Sequence, residues 1–150
     1  MASEDSPRIF LPPPLIFGAL LALGLLLDSD PLPLGPVSIG GMVLAGGGVV
    51  LIGIALGLFR SSRTRPEPWQ PASSLVDRGL YRFTRNPMYL GMAMLSLGIA
   101  IAFASLPGAF LALTALLIID RAVVTREETY LKRRFGQDYI AYMARVRRWL

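Results

Sequence analysis

The chain has 150 residues, of which 53% are hydrophobic and 17% charged, with 15 basic against 10 acidic side chains, no Cys and no His. Soluble domains average about 25% charged residues, so this composition excludes an ordinary water-facing globule. The missing Cys and His exclude disulfides, thiolate nucleophiles, imidazole bases and the usual metal sites, leaving carboxylates, Arg, Tyr, hydroxyls and backbone to carry any chemistry.

In chain order, Ile9 to Leu27, Pro31 to Phe59 and Asn86 to Ile119 contain no charged side chain. A helix crosses about 30 Å of hydrocarbon in about 20 residues. The first run predicts a span over 12–27. Its flank, Met1 to Arg8, is not net positive, and Asp28-Ser-Asp-Pro follows it in place of a small-residue cleavage site, which argues against a signal peptide. Pro12, Pro13 and Pro14 fit only a first helical turn, so the helix starts at or just after them. The second run predicts a span over 37–59. The third is too long for one crossing, and Ser105-Leu106-Pro107-Gly108 divides it into 87–104 and 107–124, a tight hairpin of two spans. Both arms are short for a bilayer, so tilt or local thinning goes with them, and a re-entrant hairpin is the alternative. The expected fold class is therefore all-α: a polytopic membrane protein of about four transmembrane helices. A loop over 60–86 and an amphipathic tail over 125–150 complete a single membrane-embedded domain, 1–150.

Orientation follows from the basic residues. Arg60, Arg63, Arg65, Arg78, Arg82 and Arg85 lie between the second and third spans, and Arg121, Arg126, Lys132, Arg133, Arg134, Arg145, Arg147 and Arg148 follow Ile119, whereas 28–36 and 104–108 contain none. The positive-inside rule places the loop, the tail and both termini in the cytoplasm. Anionic headgroups suffice to hold these cations, and no nucleic-acid motif accompanies them, so the membrane is the expected partner and nucleic acid is not.

In the second span, Gly53-Ile-Ala-Leu-Gly57 has the small-xxx-small spacing that lets helices approach closely, which suits internal packing or a homo-oligomer. Gly46-Gly47-Gly48 is no phosphate loop, because neither a strand nor a Lys accompanies it. A small transporter would be expected to carry a midspan carboxylate, yet Asp28, Asp30 and Asp120 all lie near span edges.

Two polar clusters flank the hairpin, Gly79 to Gly91 and Arg126 to Tyr142. The helix between Gly91 and Glu127 is about 54 Å long, two crossings, so the chain returns to the face it left. Arg85, Asn86, Tyr89, Glu127 and Glu128 are thus expected to converge at the cytoplasmic boundary. Each also has a plain reading. Pro87 suits any first turn, Arg85 can snorkel, Tyr81 and Tyr89 can join an aromatic belt, and Glu127 and Glu128 can pair with Arg126 or Lys132 on a solvated face. Leu131, Phe135, Tyr139, Tyr142 and Val146 recur at helical spacing around Gly136, as in an amphipathic tail lying on the membrane.

Taken together, Arg85-Asn86-Pro87-Met88-Tyr89-Leu90-Gly91, the hydrophobic hairpin, Glu127-Glu128, Phe135-Gly136 and the Tyr139/Tyr142 pair resemble the isoprenylcysteine carboxyl methyltransferase and phospholipid methyltransferase superfamily of integral membrane enzymes. The likeness runs from about Val76 to Leu150. It implies S-adenosylmethionine as cofactor, bound where the hairpin meets the tail by Arg85, Asn86, Pro87, Tyr89, Gly91, Glu127 and Glu128, with Arg126 and Glu128 as the catalytic candidates and no metal. The implied acceptor is a lipid or other lipophilic molecule: an isoprenylcysteine-type carboxylate, a phospholipid amine or a small thiol. Asn86 stands where the family usually has His, which removes any proton transfer at that position but keeps hydrogen bonding. Transfer to an ionised carboxylate or thiolate needs alignment and desolvation more than a base, whereas an amine acceptor would call on Glu127, Glu128 or Asp120. The alternative is a non-catalytic membrane module that keeps the fold for lipid binding or assembly.

Overall fold

The computed structural model describes residues 11–28, 35–62 and 72–150, and all its regular elements there are helical. Arg63 and Arg65, the start of the chain and most of the expected turn after Leu27 lie outside the described residues.

Helix α1 (Pro13–Leu26) begins where the Pro run permits, with Pro12 outside it. Pro36 opens α2 (Pro36–Ser61), and the Ser38 hydroxyl accepts from the Gly35 N–H at 3.3 Å. A 3₁₀ turn at Gly79–Arg82 leads to α3 (Pro87–Ala102), again opened by a Pro whose absent N–H costs nothing in the first turn. Helix α4 (Leu106–Ile118) is capped by Ser105, whose hydroxyl accepts the Gly108 N–H at 3.1 Å. The turn thus falls at 103–105, with Ala104 at φ 51°, and Leu106 and Pro107 already belong to the fourth helix.

The boundary expected between the last span and the tail, at 124/125, is not a break in the backbone. No Gly or Pro interrupts Ile119 to Phe135, and the chain continues through a π-helical stretch (Ile119–Val124) into α5 (Thr125–Phe135). The Thr125 hydroxyl donates to the Asp120 carbonyl, five residues back, at 3.0 Å. Gly136, at φ 53°, ends α5 and starts α6 (Gln137–Arg145). The tail's apolar residues do not lie free for a lipid surface. Tyr139, Tyr142 and Val146 are buried with Val76, Tyr81 and Ala55, so the tail folds back on the segment before α3 and the end of α2. Tyr142 donates to the Tyr81 carbonyl at 2.7 Å, and the Ala72 N–H donates to the Tyr130 hydroxyl at 3.0 Å.

Helices α2 and α3 make the most extensive contact, α1 packs on α4, and α3 bridges the two pairs. The α2–α3 seam is built on glycines seven residues apart on each helix. A Cβ on Gly48 would lie 2.6 Å from the Gly91 carbonyl oxygen and the Leu95 N, and Gly41 and Gly98 are equally closed by each other's helix backbones. Gly53 and Gly57, the pair the sequence singles out for close packing, have no atom of the described residues within 4 Å of an added Cβ. The close approach therefore uses the Gly41/Gly48 face, not the Gly53/Gly57 face. Gly53→Ala is expected to leave the thermal midpoint in detergent unchanged or raise it slightly, since Ala is favoured over Gly by about 1 kcal/mol in a helix interior.

The apolar surface points outward. Val43 is 71% exposed, Phe110 69% and Leu26 83%, and α2 is apolar on all sides with little of it covered by the rest of the chain. A helix that is hydrophobic all round needs an apolar surrounding, and protein supplies little here. Two helical runs, Pro36–Ser61 and Leu106–Phe135, are long and apolar enough to cross a membrane, and Pro13–Leu26 and Pro87–Ala102 are shorter apolar helices.

Candidate functional site

The polar residues gather where the start of α3, the π-helical stretch with α5, and the last four residues meet. The extended chain before α3 and the C-terminus lie side by side, as a Thr84–Arg147 bridge and an Arg85 N–H to Arg147 carbonyl bond of 3.0 Å show. The Arg148 carbonyl accepts from both the Thr84 hydroxyl and the Asn86 amide, each at 3.0 Å.

Glu128 lies at the centre and is 6% exposed. Its Oε1 is 3.0 Å from Arg85 Nη2 and accepts Arg148 Nε at 3.1 Å, while its Oε2 accepts Arg148 Nη2 at 2.6 Å. Charge-assisted, two-pronged pairs of this kind fix orientation as well as adding energy. Asp120 Oδ1 accepts Arg148 Nη1 at 3.2 Å and the Trp149 indole N–H at 2.9 Å. The carboxylate of Glu128 holds the Arg148 guanidinium in its charged form.

Glu127 has different company. Its Oε1 accepts the Tyr89 hydroxyl at 2.6 Å, and among the described residues no guanidinium pairs with it. Burial pushes its carboxyl up to about 7; the Tyr89 hydrogen bond opposes that rise and the charge of Glu128 adds to it. The Arg85 Nε, on a side chain only 10% exposed, is buried without a hydrogen-bond partner among the described residues. An orphaned buried donor costs the fold unless something accepts from it, so this atom is available to a ligand oxygen.

Beside this cluster, a cavity of about 540 Å³ lies between α1, α2 and α3, lined mainly by apolar side chains such as Phe17, Leu21, Ile52 and Met92. Tyr89 borders both regions. Its ring lines the cavity and its hydroxyl reaches Glu127.

Of the residues singled out in the sequence, Arg85, Asn86, Tyr89, Glu127 and Glu128 come together. Asn86 is the residue before α3, but its amide is committed to the Arg148 carbonyl. Pro87 is fully buried in the first turn of α3. Gly91 faces α2, where an added Cβ would meet the Gly48 carbonyl oxygen at 2.9 Å; its role in the structure is helix packing. Arg126 is exposed on α5, on a different face from buried Glu128, since residues two apart on a helix point apart. Tyr81 is buried rather than interfacial, with an edge-to-face contact to Phe59 at 5.5 Å.

Sequence reasoning misses Arg148, Trp149 and Thr84 as site residues, and it has Asp120 at a span edge and as one candidate base, without its partners. A signal was present: Asp120 and Glu128, near or beyond the last span, require cationic partners if buried, and a C-terminal Arg-Trp can supply both a guanidinium and an indole donor.

Over 35 residues, 23% of this chain, the sequence is 49% identical to an uncharacterised protein of Haemophilus influenzae, and that stretch is 56% of the relative's length. The chain thus spans little more than half of the curated relative it matches. No solved structure matches it. Residues 37–138, more than half of the chain, match the phospholipid methyltransferase family, and the chain belongs to that family.

Proposed function

We propose that this chain is an integral membrane methyltransferase that uses S-adenosylmethionine and acts on a lipophilic acceptor. In this reading it crosses the bilayer four times, with both termini and the loop over 60–86 in the cytoplasm. Family membership supports the reaction class, and the observation that carries the reading is Tyr89, shared between an apolar cavity and an ionisable carboxyl.

The residues present fit the cofactor. S-adenosylmethionine supplies an electrophilic methyl group on a sulfonium cation, together with an ammonium and a carboxylate. The Glu127–Glu128 pair supplies negative charge for the cationic groups, and the unpartnered Arg85 Nε is a donor for a carboxylate oxygen. The Tyr89 hydroxyl holds Glu127 from the cavity side. The cavity wall formed by α1, α2 and α3 takes the apolar body of the acceptor and excludes water, so that an ionised acceptor group loses solvent at the site. For an amine acceptor, Glu127 is placed to accept the proton, its carboxyl being poised near neutrality.

Purified protein should bind S-adenosylhomocysteine in calorimetry, and membranes incubated with methyl-labelled S-adenosylmethionine should accumulate label in a lipid or lipophilic fraction. Absence of both in wild type would favour the non-catalytic membrane module.

A further inference from the structure

The C-terminal Arg148 and Trp149 stand inside the cluster that the methyltransferase reading treats as the cofactor site. Building on that reading, we propose that Arg148 is a positioning residue that fixes Glu128 and Asp120, so that the acidic pair divides its roles: Glu128 is scaffold, and Glu127 is the carboxylate presented to the cofactor's cation.

The hydrogen bonds carry the division. A carboxylate offers about four lone-pair sites. Three of those on Glu128 face guanidinium nitrogens, from Arg85 on one side and Arg148 on the other. For an incoming ammonium to reach Glu128, a buried ion pair must first be broken, which strands a charge. Among the described residues Glu127 needs no such exchange, because its bond to the Tyr89 hydroxyl leaves lone pairs open.

Arg148 is itself held by its main chain. Its carbonyl is bound by Thr84 and Asn86, the neighbouring Arg147 carbonyl accepts the Arg85 N–H, and the Trp149 ring packs on the core around Tyr89 and Val123. The same strands of chain therefore place Arg85 and Arg148 together, and Glu128 is oriented from two directions at once. The remaining Arg148 nitrogen, Nη1, reaches Asp120 within the π-helical stretch, a feature found often at functional sites.

The test uses the full chain in detergent or nanodiscs and two kinds of readout. The first is thermal unfolding of Arg148→Ala, Glu128→Gln and the double variant. Arg148→Ala should lower the midpoint by about 5 °C or more, and adding Glu128→Gln should restore part of the loss, because the stranded charge is gone. Arg148→Lys, with a point charge and no fork, should recover only part of the loss. The second readout is the ratio of affinities for S-adenosylmethionine and S-adenosylhomocysteine, which differ in the sulfonium charge. Glu127→Gln should cut the preference for the cation about tenfold, whereas Glu128→Gln should leave the ratio near wild type while weakening both ligands. Strictly additive thermal losses would overturn the clamp, and loss of the preference in Glu128→Gln alone would overturn the division of roles. Wild type that binds neither ligand overturns the methyltransferase reading and the ligand role of Glu127, while the thermal coupling still decides the clamp.

Discussion

Gly48→Val is expected to abolish recovery of a folded, monodisperse protein, and Gly48→Ala to lower its thermal midpoint severely. A single Cβ at this position lands 2.6 Å from the Gly91 carbonyl oxygen and the Leu95 N, and both are backbone atoms of α3 that no rotamer change can move aside. Overpacking a core typically costs about 1–3 kcal/mol, more where the surroundings cannot relax. Here the surroundings are the facing helix along its whole length, because Gly41 and Gly98 close the same seam one heptad away. Lipid offers no hydrophobic gain for pressing helices together, so close van der Waals contact is what holds α2 to α3, and parting the backbones forfeits it. Against a total stability of about 5–15 kcal/mol, that loss is large. Gly53→Val on the same helix is the control, since no atom of the described residues lies within 4 Å of its added Cβ. Circular dichroism and size-exclusion profiles of the two variants should differ sharply; equal behaviour would mean that the seam is not where the stability resides.

That contrast also shows what the sequence could and could not disclose. Helix starts are legible where Pro fixes φ and lacks an N–H: Pro13 and Pro87 each open a helix where expected, and Pro36 opens α2 one residue before the expected 37. The convergence of Arg85 and Tyr89 with Glu127 and Glu128 was legible from helical rise alone, because a helix–turn–helix of that length must return to its starting level. The packing face of α2 was not, because seven of its residues are Gly and spacing alone does not say which of them meet another helix. The change from apolar to charged residues at 124/125 marks an environment boundary, not a backbone break, and α4 runs through it into α5. The fold-back of the tail was hidden for a related reason: a stripe such as Tyr139, Tyr142 and Val146 has the same spacing whether it meets lipid or protein. In the sequence Arg148 is one more cation after the last span, and a count of charges carries no partner. Asn86 is now accounted for in part, since donating an amide N–H to the Arg148 carbonyl requires no titratable ring.

Glu127→Gln is expected to make the protein more heat-stable above about pH 7 while weakening S-adenosylmethionine binding there, with little change in stability near pH 4. Glu127 lies beyond the last expected span, and burial raises its carboxyl from 4.5 to about 7. The folded state thus binds this proton more tightly than the unfolded chain. The stability that goes with it is complete below about pH 4.5, declines as pH rises and is gone above about pH 7, where the ionised carboxylate costs the fold up to about 3 kcal/mol. Gln cannot ionise, so the variant escapes that deficit and its unfolding midpoint should be flat across the range. Binding runs the other way. A sulfonium or ammonium is attracted by the ionised form, so wild-type affinity should rise with pH and level off above about 7, with proton release on binding below it, whereas Glu127→Gln should bind weakly at every pH. Tyr89→Phe separates this account from a general effect of pH on the membrane protein. The hydroxyl lowers the Glu127 carboxyl's pKa, so its removal should carry both the stability transition and the binding transition to higher pH together. A wild-type affinity that is constant between about pH 5 and 8, or a Tyr89→Phe transition displaced downward, would remove Glu127 from the role. Once ionised, the Glu127 carboxylate has no guanidinium partner among the described residues, and a cation delivered to that position is the counter-charge that would offset its burial.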